Sequence, residues 1–297
     1  MQEVPRMAPA HRDERAIPIR DASTIILVRD MPGETDGDEA PGGIEVFLQR
    51  RSRTMPFAPG MTVFPGGGVD PTDHTAALAW HGPAPEYWAS AFGTGEPTAR
   101  ALVVAAIREL YEECGVLLAS HLDGSIVTTQ WISATLEDAR SALAARSVSF
   151  AELLREHDLT VRADLLAPMA NWITPTGNSR RYDTRFFLAK LPPGQHADDQ
   201  TPEADECFWR APQDALAAWS RGEAILLPPT WSQLRALARI ASSSDLPLPA
   251  DPCGHALPIP PIESAPMDHP DGWRLGFPDC DAYYASVPPG LGRTLRP

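Results

Sequence analysis

The densest chemistry in this chain lies in nine consecutive residues, Arg108-Glu109-Leu110-Tyr111-Glu112-Glu113-Cys114-Gly115-Val116. On an α-helix, Glu109, Glu112 and Glu113 stand at i, i+3 and i+4, so their carboxylates converge on one face. Like charges so placed repel unless something offsets them. Hard divalent cations do this, because Mg2+ and Mn2+ prefer oxygen ligands. Arg108 can pair with an acid or orient a nearby loop, and Gly115 lets the chain leave the helix in a left-handed conformation. The competing reading is a solvent-facing acidic stripe, since such spacing is common on surface helices. A glycine-rich turn at Gly66–Gly68, directly after the apolar Met61–Phe64, favours the first reading. Its backbone can approach another group closely, and a carbonyl there can serve as a further metal ligand.

Arg180, Arg181 and Arg185 cluster in an otherwise acidic chain. Guanidinium groups match phosphate geometry, so this cluster suits phosphate recognition. Pairing with Asp183 inside the fold is the alternative, and spacing does not choose between them. Glu203, Asp205 and Glu206 form a second acidic group. His74, His81, His121 and His157 lack metal-ligand spacing and read as ordinary loop or surface residues. Neither a GxxxxGK[ST] phosphate loop nor a GxSxG elbow is present, which excludes those routes to an ATPase or a serine hydrolase.

This constellation resembles the Nudix box: Gly, five residues, Glu, seven residues, Arg-Glu, an aliphatic residue, one residue, Glu-Glu, one residue, Gly, an aliphatic residue. Arg108–Val116 match every fixed position of its second half, and PGGG at 65–68 matches its start. The resemblance implies an α/β fold, specifically an α/β/α sandwich carrying the box as loop–helix–loop. It implies that Glu112 and Glu113 bind Mg2+ or Mn2+ with help from the carbonyl of Gly66. Glu109 is then a further ligand or the base that prepares water, and Arg108 a structural partner. Two departures stand out. Arg108 follows Gly67 by 41 residues, about 27 more than in the usual box, and the position seven residues before the Arg-Glu pair holds Arg100 rather than Glu. Glu96 is the acid nearest to that position.

The insertion, the block WITP at 172–175 and RRYDTRFF at 180–187, and LLPPT at 226–230 resemble the subgroup that includes mammalian Nudix hydrolase 19, a peroxisomal coenzyme A diphosphatase. The resemblance covers roughly residues 20–240. By it, Glu206, which opens ECFW, is the first choice for a metal-binding acid outside the box. It implies hydrolysis of coenzyme A or acyl-CoA to 3′,5′-ADP and 4′-phosphopantetheine or its acylated form. ADP-ribose, dinucleotides and nucleotide sugars are the rival substrates. A catalytically weak Nudix-like nucleotide-binding protein is the rival of another class, motivated by Arg100.

The elements that must position these residues follow from periodicity. Strands are expected at Ser23–Arg29, Ile44–Gln49, Met61–Phe64, Ala170–Thr174, Thr184–Lys190 and Glu206–Arg210, the first two as a hairpin. Ala99–Cys114 is the strongest helix, with Pro97 and Thr98 before it and Gly115 after it. Further helices are expected at Leu136–Ala145, Ser149–His157, Pro212–Arg221 and Pro229–Ala241. This divides the chain into an irregular arm (1–18), a hydrolase domain (19–241) with an insertion at about 69–98 holding one short helix, and a Pro/Gly-rich tail (242–297) that wraps the surface or is partly disordered. A net charge of −14 argues against a nucleic-acid partner, leaving a small nucleotide as the expected one. Four cysteines without a CxxC pair read as reduced thiols. The absence of an apolar signal core or long apolar run, and a C-terminal Leu-Arg-Pro rather than an SKL-type address, make the cytoplasm the expected location and a membrane span unexpected. Oligomeric state leaves no trace in the sequence.

Overall fold

The computed structural model describes residues 17–31, 42–75, 78–136, 138–246, 256–269 and 272–288. Strand β1 (Ile19–Asp30) pairs antiparallel with β2 (Ile44–Arg51), placing Val28 opposite Val46. The short β3 (Thr62–Val63) pairs with β2, and β4 (Gly66–Gly68) folds back onto β1. Helix α1 (Pro71–Thr75), strand β5 (Trp80–His81) and helix α2 (Pro85–Phe92) precede the long helix α3 (Glu96–Cys114). Then come β6 (Ala119–Ser120), α4 (Thr129–Thr135), α5 (Ala139–Ala144), α6 (Phe150–Glu156) and β7 (Thr160–Arg162). Strands β8 (Leu166–Ile173), β9 (Arg181–Lys190) and β10 (Ala204–Arg210) complete most of the main sheet. Helices α7 (Pro212–Ser220) and α8 (Pro228–Leu237), strands β11 (Ile262–Glu263), β12 (Ala265–His269) and β13 (Gly272–Gly276), and helix α9 (Cys280–Ala285) follow.

The main sheet runs β10-β2-β1-β9-β8-β11, with β3 on β2 and β4 on β1. Its central pair, β1 and β9, is parallel over ten residue pairs. Ile25, Ile26, Leu27 and Val28 are all fully buried, as an uninterrupted apolar run requires of a strand covered on both faces. Ile25 and Leu27 join one core with α2, α3 and the short helices. Ile26 and Val28 join the other with α7, α8 and Tyr283. Helices therefore cover both faces of one sheet, which is the expected α/β/α sandwich. Among the described residues, no helix is long and apolar enough to cross a membrane.

Three expectations differ from the structure. The insertion holds two helices and a strand rather than one helix. Arg100 fastens it: its guanidinium donates to the Leu78 carbonyl (3.2 Å) and lies over the Trp80 ring (5.4 Å). The helix expected over Leu136–Ala145 is confined to Ala139–Ala144, because α4 ends at Leu136, whose N–H bonds the Ile132 carbonyl. Residues 256–288 contribute to the fold. Here β11 pairs in parallel with β8, and Tyr283, 1% exposed, sits in the second core. The expected arm lies almost wholly outside the described residues, as do Cys253 and residues 247–255 and 289–297 of the tail.

Candidate active site

Helix α3 carries the acids, and its placement is over-determined. Thirteen of its residues are buried, and the Ser23 hydroxyl on β1 donates to the Leu102 carbonyl at 2.7 Å. The helix ends at Gly115, φ 70°, whose N–H bonds the Tyr111 carbonyl; a side chain there would also meet the Asp198 carboxylate. At the other side of the site, Gly67 is pressed so closely against Glu109 that a Cβ would collide with its carboxylate.

Arg108, 8% exposed, binds this region together. Its Nε and Nη2 reach the two oxygens of Asp73 at 3.1 and 3.0 Å. Nη2 also donates to the Gly68 carbonyl at 3.0 Å, and Nη1 to Glu109 at 2.8 Å and Glu112 at 3.2 Å. All five guanidinium N–H groups can thus be used. Glu113, 3% exposed, accepts the Gly66 N–H at 3.0 Å on Oε2, while its buried Oε1 has no partner.

Asp73, a residue outside the expected site, is 1% exposed and forms the bidentate pair with Arg108. The signal was available. Asp73 stands six residues after Gly67, where the box pattern places its first acid when counted forward from the glycine. Counting backward from Arg108 crosses the insertion and lands on Arg100. Glu96, at the start of α3, is exposed. Glu203, one of the acidic group in which Glu206 is the first choice, lines the same cavity as Glu109 and Glu112 and pairs with Arg51 at 3.3 Å.

Burial makes these acids hard to ionise. It raises Glu109 to about 7, with Arg108 opposing the shift and Glu112 adding to it. It also raises Glu112, and raises Glu113 well above the usual carboxylate range with the charges of Glu109 and Glu203 adding to the effect. Among the described residues, no group of three or more His, Cys, Asp or Glu is already arranged around a metal position. Arg108 Nη1 bridges Glu109 and Glu112 by donating to both. The donor set nonetheless fits a hard divalent cation. Several oxygen donors crowd a poorly solvated place, and one buried carboxylate oxygen lacks any partner.

Glu109 and Glu112 open onto a cavity of about 1210 Å3, whose lining does not include the buried Glu113; this is above the usual upper range of roughly 1,000 Å3 for small-molecule sites. Gly66, Gly67, Arg108, Glu109, Glu112 and Arg180 all line it. The other two arginines are engaged elsewhere. Arg181 donates to Glu263 at 2.6 Å and to the Thr174 carbonyl. Arg185, 5% exposed, is held by Asp21 and Asp183 and faces a smaller pocket with Asn171 and Pro258. Alternation explains the split: Tyr182, Thr184 and Phe186 of β9 line the large cavity, so Arg181, Asp183 and Arg185 point to the opposite face. Glu206 is half-exposed and pairs with Arg50 at 2.8 Å, outside the cavity lining.

A long acidic helix held by a guanidinium against a glycine turn, on a sheet covered by helices on both faces, is the arrangement of a Nudix hydrolase, an enzyme that cleaves phosphoanhydride bonds. Residues 84–240 match the family described as the NUDT19 Nudix domain, and the chain belongs to that family. It is 29% identical over 267 residues to the acyl-coenzyme A diphosphatase NUDT19 of Gallus gallus, covering 76% of this chain and 70% of that one. It is 29% identical over 248 residues to the Homo sapiens protein of the same name, covering 69% of this chain and 63% of that one. The crystal structure of a NUDIX hydrolase from Alicyclobacillus acidocaldarius is similar with a TM-score of 0.59 and 30% identity, covering 77% of this chain and 95% of that chain.

Proposed function

We propose that this diphosphatase uses Mg2+ or Mn2+ to hydrolyse coenzyme A or acyl-CoA, releasing 3′,5′-ADP and 4′-phosphopantetheine or its acylated form. The observation that carries the reaction is the set of buried carboxylates at one end of a cavity large enough for an extended nucleotide derivative. The substrate rests on the likeness to relatives named acyl-coenzyme A diphosphatase.

Glu112 and Glu113 would hold the metal with the Gly66 carbonyl, and Glu203, which lines the cavity where Glu206 does not, would assist them. A metal held there would supply activation of water and compensation of charge on the transferring phosphoryl group. Arg108 holds Glu109 and Glu112 at fixed positions. Glu109, with its pKa near neutrality, accepts the proton as water attacks one phosphorus. The bridging oxygen then leaves on the other phosphate, without a covalent enzyme intermediate. Of the 180–185 arginines, Arg180 alone lines the cavity and would meet a phosphate there.

The test is product analysis with coenzyme A, acetyl-CoA, ADP-ribose and NADH, each with Mg2+ or Mn2+. Glu112→Gln and a chelator serve as controls. Metal-dependent release of 3′,5′-ADP, lost in the variant, is expected. Cleavage confined to ADP-ribose or NADH would reject the coenzyme A reading and keep the chemistry. Binding without turnover of any substrate would favour a nucleotide-binding protein.

A further inference from the structure

The stretch beyond residue 240 lies outside the family match, yet it builds part of the cavity: Ser264, Leu275, Tyr283 and Tyr284 line it. Its attachment is firm. Strand β11 extends the sheet beyond β8, with Ile262 opposite Trp172. Glu263 is paired with Arg181, and Phe277 packs edge-on against Trp172 at 5.7 Å. Tyr283 stacks on Trp219 at 5.3 Å and meets Trp231 edge-on at 5.4 Å, while its hydroxyl donates to the Leu226 carbonyl at 2.9 Å. The Tyr284 hydroxyl oxygen accepts the Leu275 N–H at 2.7 Å, joining α9 to β13.

The cavity therefore has two chemically different ends. The carboxylate end stands over β4, which is paired to β1. Helix α3, which carries the carboxylates, packs against one core of the sheet, whereas Leu275 and Tyr284 pack against the other, the core that holds Trp172 and Phe186. There the partly exposed Leu275 and Tyr284 line the cavity beside the buried Trp172 and Phe186 and offer it largely apolar side chains. A diphosphate and its ribose have no use for such a surface, whereas an apolar group carried at the far end of the substrate does.

We infer that the β12–β13 hairpin and α9 form a fixed wall around an apolar arm of the active-site cavity, and that Leu275 and Tyr284 determine the size of the acyl group accepted. This rests on the coenzyme A reading above and adds the residues that read the acyl chain. Tyr283 anchors the wall and is a positioning residue.

The test compares wild-type protein with Leu275→Ala, Leu275→Trp and Tyr284→Ala, using coenzyme A and its acetyl, octanoyl and palmitoyl thioesters. Turnover is measured with Mg2+. Binding is measured by calorimetry in a Glu112→Gln background that leaves the esters intact. Affinity should rise with chain length in the parent. Leu275→Trp should lower the octanoyl-to-unacylated ratio of kcat/KM and of affinity at least tenfold. Leu275→Ala and Tyr284→Ala should shift preference toward palmitoyl. Opposite shifts from the two Leu275 variants cannot come from misfolding. Affinity that ignores chain length, or ratios that stay within twofold in every variant, would overturn the inference. Absence of 3′,5′-ADP from all esters would instead defeat the proposed reaction, and the chain-length dependence of binding would still decide the wall.

Discussion

Arg108 makes one guanidinium serve four partners: Asp73, Glu109, Glu112 and the Gly68 carbonyl. Removing one side of a buried ion pair leaves the other uncompensated, at a cost of about 3–5 kcal/mol. Asp73→Ala is therefore expected to lower stability by that order, measured by urea unfolding. Asp73→Asn should retain more stability but reduce kcat, because Arg108 would no longer be held in place between Glu109 and Glu112. Unchanged stability and turnover in Asp73→Ala would show that the pair does not organise the site. Gly67→Ala makes a sharper distinction. Its added methyl group meets the Glu109 carboxylate, so activity should fall at least tenfold while most of the melting temperature is retained.

The main elements were legible because their signals were strong and local. Helix α3 has good formers and a glycine stop, and β1 has a run of branched apolar residues. The acids at 109, 112 and 113 were legible for the same reason: one helix carries all three. What escaped depended on contacts between distant segments. Arg185 and Asp21 lie 164 residues apart, so the fate of that arginine follows from strand pairing rather than spacing. Glu203 and Glu206 are separated by a β-bulge between Ala204 and Glu206, which breaks the simple alternation. Strand β11 has two residues and β12 and β13 five each, too short for a clear period. Their packing also yields a prediction. Truncation after residue 255 removes the aromatic ring that covers Trp219 and Trp231. It should lower the melting temperature markedly, whereas a detachable surface tail would leave it unchanged.

At the scale of the whole molecule, the buried acids tie stability to pH. Glu109 rises from 4.5 to about 7 on folding, so near neutrality the metal-free folded state binds more protons than the unfolded chain. Stability then falls as pH rises through that window. Calorimetric melts without metal should show this loss between about pH 5 and 7, and Mg2+ or Mn2+ should reverse it at the upper end. Flat behaviour without metal would mean that these carboxylates are better solvated than their burial indicates. The parallel pairing of β1 with β9 has a different consequence, one of time. Ile19 waits for Arg181, 162 residues later, before the two central strands can join, and contacts of such sequence separation are slow to form. A chain emerging from the ribosome has made its whole acidic helix well before the partner strand that completes the sheet beneath it. In refolding, helical signal should therefore recover before metal-binding competence.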